Sequence, residues 1–313
     1  MDILNFDNKD IIKYNFPLST VCTMKTGGNA KYAFFPENKQ QLSDIIVFLK
    51  KNNIKFKMLG NGSNTVFKDE GYNGAVILTQ NMKSVFDVTD DGMSVFFENC
   101  EQDDRKIFVE AGYSLTSLAS KMCRCGYTGL EFAYGIPASV GGAVFMNAGA
   151  YGGEMKDVIY SVEYLDSDGT FKLLYNNEDS DYFSYRHSYF SDNTDFIITG
   201  VTLKLKKSIN QDPMEVAERN MRSRKEKQPL EYPSCGSAFK RPVGNFAGAL
   251  IEKAGLKGTN VGGAYVSEKH AGFIVNKGGA TTSDITNLIE LVKKTVYETS
   301  GVMLEPEIRV VED

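Results

Sequence analysis

The 313-residue sequence predicts an α+β protein of more than one domain, and three observations predict it. Residues 30–78 alternate short strand-like and helix-like runs. Residues 93–205 carry a succession of β-rich runs with few helical patterns. From Asp212 onward helical periodicity returns, broken by one short apolar strand and followed by another at the C-terminus.

In the first region, Ala30–Phe35 reads as a strand, and Leu42, Ile45, Ile46 and Leu49 recur at helical spacing before the basic Lys50 and Lys51. Phe56–Leu59 and Ala75–Leu78 are further strands, while residues 1–15 read as a loosely attached start. In the second region, Met93–Glu98, Lys106–Glu110, Val158–Leu165, Thr170–Leu174 and Phe196–Leu205 are strands, with Asp168-Gly169 as a hairpin turn. Leu115, Leu118, Ala119 and Met122 form one helical face, closed by Gly126. A mostly antiparallel sheet with a few helices follows.

In the third region, Asp212, Pro213 and Glu215 supply a helix cap, a first-turn proline and a third-position acid, so a polar helix runs to Lys227. Helices over Ala247–Ala254 and Thr282–Thr299 flank a strand at Phe273–Val275, and a last strand covers Met303–Val311.

Composition narrows the function. Hydrophobic residues at 42% and charged residues at 24% are ordinary for a globular enzyme, and the net charge of −5 argues against a nucleic-acid binder. No apolar run reaches the length of a membrane span, and the N-terminus is acidic where a signal peptide is basic, so a cytoplasmic protein is expected. Five cysteines, an odd number, fit a reducing compartment; Cys123 and Cys125 miss the CxxC spacing, and no metal is expected. Two histidines, His187 and His270, leave little scope for a His-based triad.

Two glycine-rich stretches carry the chemistry. Leu59–Asn64, LGNGSN, follows an apolar run; Gly129–Glu154, GLEFAYGIPASVGGAVFMNAGAYGGE, holds seven glycines in 26 residues yet stays apolar. The first is neither a dinucleotide fingerprint nor a P-loop, because Thr65 stands where a third glycine belongs and no Gly-Lys-Ser/Thr occurs. Glycine lets the backbone take positive φ and lets a planar or phosphorylated ligand lie against amides. Pro137-Ala138-Ser139 reads as the start of a short helix whose free amides would attract an anion. A glycine-rich turn inside a packed core is the other reading.

Together these loops resemble the FAD cradle of the UDP-N-acetylenolpyruvoylglucosamine reductase (MurB) family, within the flavin fold shared with vanillyl-alcohol oxidase. The likeness runs from about Phe16 to Val311. It implies a vanillyl-alcohol-oxidase-type, two-part FAD-binding fold plus a C-terminal α+β substrate domain. The expected division is an N-terminal FAD-binding subdomain over 1–78, a second over 79–211 to which the last strand, 303–313, returns, and a substrate domain over 212–302. The chain resembles the shorter subclass, without the extra substrate-covering loop. Ala138 stands where many members have glycine, and Met24-Lys25-Thr26-Gly27-Gly28 replaces an arginine-containing approach.

The resemblance implies reduction of UDP-N-acetylglucosamine enolpyruvate to UDP-N-acetylmuramate, a step of peptidoglycan precursor synthesis, with NADPH as hydride donor and non-covalent FAD. Neither histidine lies in a cradle, so dissociable FAD is expected. Hydride from flavin N5 reaches the vinyl carbon, negative charge builds on the conjugated carboxylate, and the adjacent carbon is then protonated. Ser237, in CGSAFKRP, matches the family's proton-donating serine; Arg186, in YRHS, would pair with the substrate carboxylate; Glu307, in LEPEIR, would donate a hydrogen bond to it. Without the resemblance, Ser237 reads as a Gly-Ser turn contact and Arg186 as a structural ion-pair residue. Glu305 is expected to face outward.

Lys227, in EKQP, matches a substrate-side lysine, and also reads as a solvated helix-end cation. Arg241 stands where some relatives carry asparagine, and His270 aligns with a substrate-side glutamine. Flavin contacts are expected from Gly60, Asn61, Gly62, Ser63 and Asn64, from Ala138, Ser139, Gly141 and Gly142, and, near the ring, from Asn147 and Ala148. A monomer is expected. The alternatives are a flavin oxidase or dehydrogenase of the same fold acting on an alcohol or lactone, and a non-catalytic FAD or UDP-sugar binding module.

Overall fold

The computed structural model of the chain describes residues 6, 9–89, 92–95, 104–177 and 179–312. It divides into two compact units: the first comprises 1–12, 34–61 and 76–223, the second 13–33, 62–75 and 224–313.

The first unit is built on an antiparallel sheet. From one edge to the other run Phe171–Tyr175, Ile159–Leu165, Ile197–Lys207, Asp104–Glu110, Val85–Thr89 and Gly92–Val95, and Tyr127–Thr128 pairs with the end of Ile197–Lys207. Ile197–Lys207 is the spine, and its burial is nearly continuous because it lies between two other strands. Residues 96–98 of the predicted Met93–Glu98 strand lie outside the described residues. The Asp168-Gly169 turn forms as expected: Gly169 takes φ +80°, its N–H donates to Asp166 O at 3.0 Å, and Asp166 N–H donates to Thr170 O.

Helix α1 (Lys39–Lys51) starts at Asn38, whose side chain accepts from Gln41 N–H, and buries Leu42, Ile45, Ile46 and Leu49, the predicted stripe. Helix α2 (Leu115–Arg124) is capped by Ser114, buries Leu115, Leu118, Ala119 and Met122, and is followed by Gly126 at φ +77°. Helix α3 (Val140–Phe145) lies inside the long glycine-rich stretch. Ile107, Val109, Leu118, Met122, Val144, Val162, Val201 and Leu203 form the centre of this unit's core, all at most 1% exposed.

The N-terminal reading needs correcting. Residues 12–15 belong to a strand, Ile12–Pro17, preceded by a 3₁₀ turn at Lys9–Ile11, and Phe6 is buried against the rings of Phe34 and Phe48. One buried aromatic supplies enough apolar area to hold a short segment that polar composition alone leaves unassigned.

The second unit has a four-stranded antiparallel sheet ordered Ser234–Ser237, Phe273–Asn276, Ala264–Val266 and Asn260–Val261. Helix α4 of this unit (Thr282–Ser300) is capped by Thr281, whose hydroxyl accepts from Asp284 N–H, and ends at Gly301 in the left-handed conformation. Ile285, Leu288, Ile289, Val292 and Val296 of that helix pack with Val66, Phe239, Ile251, Val266 and Ile274.

The chain's end also departs from expectation. Only Arg309–Val311 is strand, and it pairs in parallel with Thr65–Phe67, not with the sheet of residues 79–211. Pro306 has no N–H to offer a ladder, and the one β-bridge of residues 303–308 is an isolated one, Phe239 to Pro306. On a regular strand residues 305 and 307 would share a face. Here the irregular backbone separates them: Glu305 is exposed and paired with Lys240, while Glu307 is half-buried.

Candidate functional site

In the first unit the two glycine-rich loops meet. Asn61 Nδ2 donates to Pro137 O at 3.4 Å, and a Cβ added to Gly60 would lie 2.2 Å from Ser139 Oγ. That hydroxyl is itself in use as the cap of α3, accepting from Gly142 N–H at 3.2 Å, and Ser139 is 1% exposed. Gly141 is required on its other side, since a Cβ there would stand 2.7 Å from Ala111 Cβ. The glycines therefore serve close approach of backbone to backbone.

One expectation fails here. The first amides of α3 are not free for an anion: Val140 N–H donates to Tyr113 O, Gly141 N–H to Ala111 O and Gly142 N–H to the Ser139 hydroxyl. Proline and small residues mark where the helix begins, but they carry no signal of the neighbouring strand end that takes up its amides.

Beyond α3 the loop is held by its own polar groups. Asn147 is buried at φ +41°; its Nδ2 donates to Glu154 Oε2 and Ser184 O, and its Oδ1 accepts from Lys156 N–H. Ala148 is tied at both ends, donating to Ala143 O and accepting from Met155 N–H. Ala138, 9% exposed, likewise accepts from Leu115 N–H. Arg186, half-buried at φ +55°, donates from Nη2 to Gly149 O at 3.0 Å, and its guanidinium lies 5.2 Å from the Tyr185 ring centroid. Non-glycine residues at such φ carry strain that the surroundings must sustain, a pattern concentrated at functional sites. Tyr151, at φ +51° and 46% exposed, shares it and went unnoticed in the sequence, because left-handed backbone leaves no mark on a tyrosine.

Any side chain at Gly60 would push on the Ser139 cap and any at Gly141 on Ala111, so both positions stay bare backbone.

The second unit brings together a different set. Gly62 takes φ +58°, and its carbonyl accepts from Thr23 N–H. Ser63 and Asn64 are half-buried, and Asn64 Nδ2 donates to Glu307 O at 2.9 Å while Asn64 O accepts from Arg309 N–H. Glu307 N–H donates to Ala238 O at 2.8 Å, and Ala238 N–H donates to Gly272 O at 2.8 Å. Ser237, on the edge strand paired to Phe273, thus sits one residue from a frame that holds Glu307 on one side and Gly272 on the other. His270 Nδ1 accepts from Gly272 N–H at 3.1 Å, and burial pushes its pKa below the ordinary 6.5. Gly272, which no motif flagged, lies at the centre of this cluster.

Lys227 and Arg241 have other surroundings. Lys227 is exposed at the end of the helix Pro213–Lys227, and the Arg241 guanidinium stacks 4.0 Å above the Phe246 ring. Among the described residues no group of three or more His, Cys, Asp or Glu side chains could hold a metal ion, and no helix is long and apolar enough to cross a membrane.

Comparison with known proteins places this geometry. Residues 30–174 match the FAD binding domain family, and residues 228–311 match the family described as UDP-N-acetylenolpyruvoylglucosamine reductase, C-terminal domain. The chain is 41% identical to the UDP-N-acetylenolpyruvoylglucosamine reductase of Lactobacillus helveticus, over 99% of each chain. It is 45% identical to that of Caldicellulosiruptor saccharolyticus, over 94% of this chain and 90% of the relative. Among solved structures, the MurB of Thermus caldophilus superposes with a TM-score of 0.76 at 34% identity, covering 96% of this chain and 98% of the other. The α+β class and the pairing of an FAD-binding part with a C-terminal domain are thus as expected from the sequence. The chain belongs to the UDP-N-acetylenolpyruvoylglucosamine reductase family.

Proposed function

We propose that this protein reduces the enolpyruvyl ether of UDP-N-acetylglucosamine enolpyruvate to the lactyl ether of UDP-N-acetylmuramate, drawing electrons from NADPH. The observation that carries the reading is the frame of the second unit, where Ser237, Glu307 and His270 are fixed through the backbone of Ala238 and Gly272. That frame falls within residues 228–311, the stretch that matches the reductase's C-terminal domain.

FAD would be held non-covalently by the loops of Gly60–Asn64 and of Ala138, Ser139, Gly141, Gly142, Asn147 and Ala148, and when bound it supplies hydride to the vinyl carbon. The chain's own residues have the remaining tasks. Addition to an enolpyruvyl group throws negative charge onto the conjugated carboxylate, and Arg186 meets it with two parallel N–H donors. Glu307, as a carboxylic acid, donates a hydrogen bond to the same carboxylate. Ser237 then gives its proton to the carbon next to the carboxylate. A serine hydroxyl is a weak acid, so it performs this step only toward a strongly basic, carbanion-like carbon. Lys227, Arg241 and His270 serve the diphosphate and sugar. For this work the three-part division at 1–78, 79–211 and 212–302 describes flavin and substrate parts, and we place the protein in the cytoplasm as a monomer.

Anaerobic mixing with NADPH tests the reading. The flavin absorbance should bleach, then return on addition of UDP-N-acetylglucosamine enolpyruvate; a preparation that takes up no FAD, or one whose reduced flavin ignores that substrate, refutes it.

A further inference from the structure

In the first unit Arg186 sits at the tip of a two-residue hairpin turn. Phe183–Ser184 pairs antiparallel with His187–Ser188, so Tyr185 and Arg186 make the turn. Arg186 takes φ +55° there, at a position where glycine or asparagine is the ordinary occupant. A strained arginine keeps such a conformation only when contacts from outside the hairpin sustain it. Hydrogen bonds to the loop 145–149 do so. Ser188 Oγ donates to Phe145 O at 2.6 Å, Asn147 Nδ2 donates to Ser184 O at 2.9 Å, and Arg186 Nη2 donates to Gly149 O at 3.0 Å.

The anchors at Asn147 and Gly149 both depend on Glu154. Asn147 is 0% exposed; its Nδ2 gives one hydrogen to Ser184 O and the other to Glu154 Oε2 at 2.8 Å, while its Oδ1 accepts from Lys156 N–H at 2.9 Å. These partners decide which way the amide faces. Reversed, it would set an oxygen against a carboxylate and a carbonyl, and an NH₂ group against an N–H. Glu154 is held in turn by Lys156 Nζ, 2.8 Å from Oε1. Gly149 is the cross-strand partner of Glu154, and a Cβ added to it would lie 2.8 Å from Glu154 Cβ. The carbonyl that receives Arg186 therefore belongs to bare backbone packed on that residue. Without the carboxylate, one hydrogen of a buried amide loses its acceptor, and the amide no longer has a reason to face Ser184.

We propose that Glu154 is a positioning residue of the reaction: acting through Asn147 and Gly149, it fixes the Tyr185–Arg186 turn so that the guanidinium is presented to the substrate carboxylate. The role rests on the function proposed above, in which Arg186 meets that carboxylate; the clamp on the turn does not. Glu154 acts at one remove, through the aim it gives to Arg186.

The test uses the full-length holoenzyme. Hydrogen–deuterium exchange read by mass spectrometry reports the clamp directly: amides of residues 183–188 should exchange roughly tenfold faster in Glu154→Ala than in the wild type. They should exchange at near the wild-type rate in Glu154→Gln, which keeps an oxygen for Asn147 and loses only an ion pair open to solvent. Unchanged exchange in Glu154→Ala overturns the clamp whatever the enzyme's substrate. Stopped-flow measurement then reads the role. In Glu154→Ala, reoxidation of reduced flavin by UDP-N-acetylglucosamine enolpyruvate should slow by roughly tenfold or more, while NADPH reduces the flavin at near the wild-type rate. Glu154→Gln should restore reoxidation to within about threefold. Glu154→Asp, which keeps the charge but draws the oxygens back by one methylene, should show the same asymmetry in milder form and replaces Glu154→Ala if that variant does not fold. In an Arg186→Gln background, Glu154→Ala should add at most about twofold to the loss already present, because both changes remove one interaction. An undiminished second loss, equal slowing of the two half-reactions, or Glu154→Gln as slow as Glu154→Ala makes Glu154 a structural residue of the loop and overturns the role. Wild-type reduced flavin that this substrate leaves unoxidised overturns the role through the failure of the proposed function, and the exchange result separates that from a failure of the clamp.

Discussion

In the first unit, Gly60 packs on Ser139 and Gly141 on Ala111 with no ionisable side chain among them; in the second, Ser237, His270 and Glu307 are spaced by backbone hydrogen bonds through Ala238 and Gly272. The two regions fail in different ways. A surface made by the absence of side chains cannot accept added volume, because the nearest atoms belong to a helix cap, Ser139, or to a packed alanine, Ala111. A cluster made by donors and acceptors tolerates modest changes of volume but not the loss of a proton or a lone pair.

The largest effect should come from adding one methyl group in the first unit. Gly60→Ala forces Ser139 off the cap of α3, and Gly141→Ala drives a methyl into Ala111. Overpacking of this kind costs about 1–3 kcal/mol, and here the strain falls on the loops that would hold the flavin. Both variants should purify colourless or with strongly reduced FAD, measured by absorbance and by titration with added FAD. A full complement of tightly held FAD in Gly60→Ala would show that the cradle has slack, and the contrast between the units would weaken.

Ser237→Ala makes the complementary change, subtracting one oxygen from the second unit. Reoxidation of reduced flavin by the enolpyruvyl substrate should slow by ~10²-fold or more, while reduction of the flavin by NADPH stays near the wild-type rate. Stopped-flow measurement of the two half-reactions separates these. Equal loss in both would make Ser237 a structural residue of the Ser234–Ser237 strand.

A smaller effect isolates hydrogen bonding from chemistry. Asp69 reaches the start of α4, accepting from Thr282 N–H at 2.7 Å and from the Ser283 N–H and hydroxyl at 2.9 and 2.7 Å. Burial pushes its carboxyl up, but the bonds from Ser283 and Thr282 outweigh this and hold it below the ordinary 3.8. Because the folded state lowers this pKa, the stabilisation is present above the unfolded value and is lost as pH falls through the folded one. Asp69→Ala should destabilise the protein by about 1 kcal/mol at neutral pH, read as a lower urea midpoint, with a smaller difference in strong acid.

Much of this contrast could be read in the sequence, and the unread part has a common cause. Helices with local signals were legible: the stripe of Leu42, Ile45, Ile46 and Leu49 marks α1, and the face of Leu115, Leu118, Ala119 and Met122 closed by Gly126 marks α2. Ser237 and Glu307 were singled out through motifs that are local too. What escaped depends on neighbours distant in sequence. The amides of α3 are consumed by Ala111 and Tyr113, some thirty residues upstream by rough count, so no reading of GIPASVGG could reveal it. Gly272 looks like any glycine until His270, Gly248 and Ser237 surround it. The final strand was overextended because Pro306, whose missing N–H cannot join a ladder, was given no weight.

Burial itself should act alike in both units, and the cysteines probe it with the least perturbation. Burial pushes Cys123, in the first unit, up to about 12, with Glu131 adding to it. In the second unit burial raises Cys22 to about 12, helped by Cys235, and raises Cys235 to about 11 against weak hydrogen bonds to Thr23, Met24 and Thr65. The thiolate is the reactive form, so a thiol three units above ambient pH presents on the order of one part in a thousand as nucleophile, before access is considered. Iodoacetamide at about pH 8 should therefore leave these three residues unmodified in the native enzyme and modify them in denaturant, with activity unchanged by the native treatment. Mass spectrometry of the peptides reads each site separately. Rapid labelling of Cys22 and Cys235 with Cys123 protected would mean that the second unit opens locally while the first stays closed, and that its donor frame is looser than its hydrogen bonds imply.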